Sequence, residues 1–137
     1  MAETVRRIEY SYVVVPDEPG EAARVLTALK EGGVNLLVCL AFPTGNKQAQ
    51  IDLVPENPAT LKQAAGKAGL KLSDAKKAFL IQGDDRPGAV AGAARKLADT
   101  KVNITALAAS GSGAGRYGMI LWVAPADYER AARALGA

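Results

Sequence analysis

Apolar and polar residues alternate over residues 8–15, where Ile8, Tyr10, Tyr12 and Val14 face Glu9 and Ser11, and this period of two with β-branched and aromatic content predicts a strand. Pro16-Asp17 end it. From Pro19 the period changes to the helical one: Ala22, Val25, Leu26 and Leu29 recur on one face, Pro19 presets φ for the first turn, and Gly32-Gly33 stop the helix. Residues 34–42 predict a second strand and Pro43-Thr44-Gly45-Asn46 a turn. A third strand over 47–54 has one wet face, with Ala49, Ile51 and Leu53 alternating against Gln48, Gln50 and Asp52. Pro58 opens a second helix with a narrow stripe of Leu61, Ala64, Ala65 and Ala68, closed at Gly69, and Leu70-Lys71-Leu72 is available as a short fourth strand.

The same order then recurs: a strand over 78–82, a helix from Pro87 to near Thr100, strands over 102–109 and 118–123 around a Gly-Ser turn, and a helix from Pro125 to Leu135. Individual residues recur with it. Asp17, Pro19 and Gly20 form an Asp-x-Pro-Gly string that returns at Asp85, Pro87 and Gly88, and Asn35 returns as Asn103, every pair 68 positions apart. Leu29 maps likewise to Leu97, Val34 to Val102 and Leu53 to Leu121. A fixed period of this kind marks a tandem duplication, here of units 1–70 and 71–137. Each unit reads as a split βαβ, so the expected class is α+β, two ferredoxin-like βαββαβ units with antiparallel sheets and helices on one face. The second unit stops at Gly136-Ala137, the counterpart of Gly69, and has no fourth strand of its own. An uncovered edge invites pairing. The N-terminal segment, residues 70–76 or another chain should cover it, and a homodimer or larger assembly is expected.

With 49% apolar and 23% charged residues, the chain has the composition of a packed soluble domain. Its longest apolar run, residues 36–42, is far short of the roughly 20 residues a spanning helix needs. The opening Met1-Ala2-Glu3-Thr4-Val5-Arg6-Arg7 lacks the apolar stretch of a signal peptide, which favours the cytoplasm and no membrane. Cys39, the single cysteine, sits inside the apolar run and reads as a buried strand residue; no disulfide framework can form within the chain. Histidine is absent, and the aspartates of the repeated string stand singly in each unit. No transition-metal cluster, paired-carboxylate device or histidine base can be assembled, so neither an enzyme nor a cofactor is expected. The net charge of +3 divides unevenly, −1 over residues 1–69 and +4 over 70–137, but Lys76-Lys77 and Arg130, Arg133 are too sparse for a nucleic-acid stripe.

The repeated string carries the chemistry. Asp, Pro and Gly are what a strand-to-helix turn uses in any case, with Asp17 near a helix N-cap. In the functional reading, Gly20 and Gly88 clear a side chain from the N–H groups of a helix start, which bind a carboxylate, while Asp17 and Asp85 accept from an ammonium. A free amino acid has both groups. The amides of Asn35 and Asn103 can both donate to and accept from such a zwitterion. Within one split βαβ unit the turn and the start of the second strand lie at opposite ends of the sheet, so a site using both is expected between units, Asp17 with Asn103 and Asp85 with Asn35. Gly111-Ser112-Gly113-Ala114-Gly115 joins two strands, and so reads as a hairpin rather than a phosphate loop, with Arg116 near the ligand. Ile120 and Trp122 make both faces of their strand apolar, which points to contact with another sheet or subunit.

On Val14-Val15-Pro16-Asp17-Glu18-Pro19-Gly20 with Gly33-Val34-Asn35-Leu36, and Ile81-Gln82-Gly83-Asp84-Asp85-Arg86-Pro87-Gly88 with Lys101-Val102-Asn103-Ile104, the chain resembles a tandem ACT-domain protein. The resemblance implies a stand-alone, amino-acid-binding regulatory protein whose sites lie at domain interfaces and use Asp17, Pro19, Gly20, Asn35, Asp85, Pro87, Gly88 and Asn103. A regulated enzyme is implied without being identified. Two other classes share the topology: an RNA-binding module, which would need aromatic residues such as Tyr10 and Tyr12 on the central strands, and a purely structural interaction module.

Overall fold

The computed structural model describes residues 3–137; Met1 and Ala2 of the opening segment lie outside the described residues. The chain divides into two compact units, Glu9–Lys76 and Lys77–Ala137 together with Met1–Ile8. Its elements are α+β throughout, and all are antiparallel where strands pair.

Strand β1 (Thr4–Pro16) serves both units, its part from Glu9 onward opening the unit Glu9–Lys76. There follow α1 (Glu21–Glu31), β2 (Leu36–Gly45), β3 (Gln48–Pro55) and α2 (Pro58–Ala68), with β3 between β2 and β1. The β2–β3 hairpin turns at Asn46 and Lys47, both at positive φ (54° and 59°), as a two-residue turn matched to strand twist requires. β2 therefore runs on through Pro43, where a turn was expected, with a register shift between Pro43 and Gly45 absorbing the irregularity. Asn57 starts α2: its side-chain oxygen accepts from Ala59 N at 2.9 Å and Thr60 N at 3.4 Å, with Pro58 in the first turn. Both helices lie on the face of Val13, Val15, Ile51 and Leu53, into which Val25 and Leu29 of α1 and Leu61 and Ala64 of α2 are packed.

Residues 70–72 do not form the expected strand. Leu70 and Leu72 pack against the core, and Ser73 bonds to β1 instead: its N–H donates to Tyr12 O at 2.8 Å, and its hydroxyl accepts from Tyr12 N at 2.9 Å. A side-chain oxygen thus stands where the next ladder carbonyl would be, and the ladder goes no further. Cys39 also departs from expectation, lying exposed on β2 rather than buried. β2 is the outermost strand of its sheet, with a neighbour on one side only, so its apolar run is half covered.

In the other unit β4 (Lys76–Asp84), α3 (Ala89–Asp99), β5 (Ile104–Gly113) and β6 (Arg116–Val123) repeat the order, and a 3-10 turn (Pro125–Asp127) leads into α4 (Tyr128–Leu135). β6 lies between β4 and β5, and the free side of β4 is taken by β1 through residues 4–8. The N-terminal segment is thus the strand on this edge of β4. Thr4 Oγ1 approaches Gln82 O (3.5 Å), and Arg7 both pairs with Glu129 (2.8 Å) and lies over the Tyr128 ring (5.7 Å). Phe79, Ile81, Met119 and Leu121 of the sheet bury against Ala93 and Leu97 of α3 and Ala131, Ala132 and Leu135 of α4. Tyr128 stacks on Phe79 with ring centroids 4.5 Å apart and donates its hydroxyl to Ala78 O at 3.1 Å, so a polar tip is satisfied inside an apolar core. Ile120 and Trp122, on the other face of β6, are also buried.

Candidate functional site

Both copies of the repeated string make the same backbone turn. After β1, Asp17 N donates to Lys47 O (2.9 Å) and Gly20 caps α1 at φ 91°; after β4, Asp85 N donates to Gly115 O (2.8 Å) and Gly88 caps α3 at φ 84°. Only glycine adopts this left-handed conformation without cost, which is why the string ends in Gly. Neither helix start has a side-chain cap, so Asp17 and Asp85 are not N-caps. Their exposed carboxylates are left to other partners. In α3 the Ala89 N–H returns to Arg86 O (3.2 Å) and Gly92 N–H to Gly88 O (3.0 Å); Val90 and Ala91, between them, are the first-turn positions whose N–H groups a helix cannot satisfy from within.

Around the Asp85 turn is a cavity of about 400 Å³. Asp85, Arg86 and Gly88 form one side, Ala89, Val90 and Ala91 the helix side, Ala109, Ser110 and Gly111 of β5 the strand side, and Tyr117 of β6 the floor. Gly111 borders it directly, whereas Gly83 lies beside Tyr117 and Glu3. A Cβ on Gly111 would stand 3.3 Å from Asp85 Oδ2, and one on Gly83 would stand 3.2 Å from the Tyr117 ring and 3.3 Å from Glu3 Cγ. Tyr117 is buried and donates its hydroxyl to Glu3 Oε2 at 2.5 Å; Arg86 reaches the same carboxylate oxygen at 4.0 Å. Burial first, and the Glu3 carboxylate second, push the Tyr117 phenol up to about 12, so it stays a donor through the physiological range. A carboxylate, a guanidinium and the helix-start N–H groups thus surround one space walled by small apolar side chains.

Asp85 and Gly88 are brought to this space; Pro87, between them in the chain, does not line it, and Asn103 is not brought there. It precedes β5, whose opposite end meets the cavity, roughly 20 Å away at a strand rise of about 3.3 Å per residue. Asn35 likewise sits at the far end of β3 from Asp17, where its amide donates to Glu56 Oε2 at 2.7 Å and its carbonyl accepts from Glu56 N at 2.9 Å. Arg116 pairs with Asp84 at 2.9 Å, outside the cavity. Arg86, Tyr117, Glu3, Gly83 and Gly111 are not among the site residues that the sequence points to. For four of them a signal existed, since at the 68-residue offset they replace Glu18, Ala49, Val15 and Pro43. Glu3 had none. Among the described residues no group of three His, Cys, Asp or Glu side chains converges on a possible metal, and no helix is long and apolar enough to cross a membrane.

No protein-family model and no curated protein matches the chain. Solved structures do. A protein from Bacteroides thetaiotaomicron superposes with a TM-score of 0.82 at 12% identity, covering 96% of this chain and 88% of its own. The regulatory subunits of aspartate kinase from Thermus thermophilus (TM-score 0.62, 21% identity) and Thermus flavus (0.60, 22%) each match over 98% of this chain and 94% of theirs. At such identities the likeness establishes the fold, which is the ferredoxin-like α+β class read from the sequence.

Proposed function

We propose that the chain is a non-catalytic regulatory protein, an ACT-like tandem whose sequence repeats are residues 1–70 and 71–137, that binds an amino acid or similarly small zwitterion at the Asp85 turn. The observation that carries this is the cavity itself: Asp85 answers an ammonium, while Arg86 and the Val90 and Ala91 N–H groups answer a carboxylate. The fold neighbours support it, being named as regulatory subunits of aspartate kinase, one of them as a ligand-free form. In this reading Asn103 and Asn35 complete sites only from another unit or another copy. The Asp17, Pro19 and Gly20 turn is the lesser site, because Glu18, Phe42, Pro43 and Ala49 stand where the Asp85 turn has Arg86, Ser110, Gly111 and Tyr117. A homodimer or larger assembly fits the exposed apolar side chains of the outermost strands, Phe42 on β2 and Leu107 on β5. RNA recognition is disfavoured, because Leu80 and Ile120, where bases would stack on the central strands, are buried.

Thermal unfolding in the presence of each standard amino acid tests the proposal. A ligand at about 100 times its Kd stabilises the folded state by roughly 2.7 kcal/mol. Asp85→Ala should remove that response, and Asp17→Ala should preserve it. If no amino acid shifts the transition, the chain is not an amino-acid sensor.

A further inference from the structure

Among the described residues, Glu3 is a charged group that meets the cavity's lining from outside the turn, helix and hairpin that form it. It enters just ahead of β1, 114 positions from the tyrosine it contacts. Its two contacts are unequal. The Tyr117 hydroxyl holds one carboxylate oxygen tightly, at 2.5 Å, whereas Arg86 is at 4.0 Å with over half of its side chain exposed. The loose contact is therefore the exchangeable one. The arrangement is also built rather than incidental, because Gly83 is what admits Glu3 and Tyr117 together, and a side chain there would press on both. Nothing comparable can form at the Asp17 turn, where the counterparts of Gly83, Arg86 and Tyr117 are Val15, Glu18 and Ala49.

We propose that Glu3 is a built-in competitor of the ligand: its carboxylate neutralises Arg86 in the empty state, and the carboxylate of a bound amino acid takes Arg86 in its place. This rests on the reading of the Asp85 cavity as an amino-acid site. Two carboxylates facing one guanidinium repel each other, so occupancy weakens the hold of Glu3. Because coupling is reciprocal, occupancy also loosens residues 4–8 from the edge of β4. The cavity is in this way linked to the strand that completes its own sheet, and a ligand signal leaves the site through the N-terminal segment.

The test is a double-mutant cycle, with each standard amino acid in turn as the probe and Kd read by calorimetry. Glu3→Gln keeps a carbonyl acceptor for Tyr117 but removes the charge, and should tighten binding about two- to five-fold, the range of a partly exposed ion pair. Arg86→Gln should weaken binding, and Glu3→Gln added to it should change nothing further. Hydrogen exchange at residues 4–8 should quicken on addition of the best-binding probe to the wild type. Unchanged or weaker binding by Glu3→Gln, with wild-type binding intact, overturns the competitor role while leaving the amino-acid site standing. Absence of binding by both proteins overturns the site and the competitor together. Independently of any ligand, ultraviolet titration should show Tyr117 ionising at lower pH in Glu3→Gln; an unmoved titration means that Glu3 does not reach Tyr117 in solution, and the inference fails.

Discussion

At Asp17 and at Asp85 the chain repeats one backbone turn with two different sets of walls. The amide after the strand bonds to the hairpin, glycine enters the left-handed region, and a helix of 11 residues begins without a side-chain cap, in both places. Around Asp17, however, α1 opens with Glu21, whose pairing with Arg24 at 3.1 Å keeps its carboxyl below the usual range, so an acid already serves the helix N-terminus. Phe42 and Pro43 stand where the Asp85 cavity has Ser110 and Gly111. Around Asp85 the helix opens on Ala89, no acid lies in its first turn, and Arg86 replaces Glu18. The comparison teaches that the turn supplies only backbone, while small and cationic substitutions around it make a space that an anion can enter.

The comparison predicts equality in the scaffolds first. Leu29 and Leu97 occupy matching positions on α1 and α3 and are almost wholly buried, so Leu29→Ala and Leu97→Ala should each cost about 2–5 kcal/mol in denaturant unfolding. A large loss at one position and none at the other would break the equivalence of the two cores. Next in size is the stabilisation by a bound amino acid, roughly 2.7 kcal/mol at about 100 times its Kd, which should follow Asp85 and not Asp17. Exchange of response between the two variants would reverse the assignment. Transplanting the first wall into the second, Gly83→Val, should cost about 1–3 kcal/mol by overpacking against Glu3 and Tyr117. It should also free Glu3, which hydrogen exchange at residues 4–8 would register.

The smallest effect concerns Asp52, which stands on β3 where β6 has Ile120. Burial raises its carboxyl above the usual range, and the 2.8 Å bond from Gln50 opposes this only in part. A carboxyl raised in the folded state favours folding below its unfolded pKa and loses that contribution as pH climbs through the folded value. Asp52→Leu should therefore gain on the wild type as pH rises from the acid range towards neutrality, in urea unfolding followed against pH. A difference that shrinks over that range would show Asp52 to be held ionised by its surroundings.

By itself the sequence determined the order of elements and their faces, because side-chain period is a local property: two for 8–15 and 47–54, helical for Val25 with Leu29 and for Leu61 with Ala64 and Ala65. The 68-residue register located both turns and both glycines, since a left-handed cap admits little else. Cys39 was misread because an apolar run looks the same on a central strand as on an outermost one, and only the strand order says which it is. The sequence left the N-terminal segment as one of three candidates to cover an open sheet edge. Residues 4–8 became a strand because β4 offered an open edge and Glu129 a partner for Arg7, neither of which is near in sequence. The cavity belongs to the same category: Glu3, Arg86 and Tyr117 lie far apart along the chain, and no period or motif brings them together. Local preference sets what each segment is, whereas burial and charge pairing across the sheet, decided only when the whole chain packs, set which segments meet.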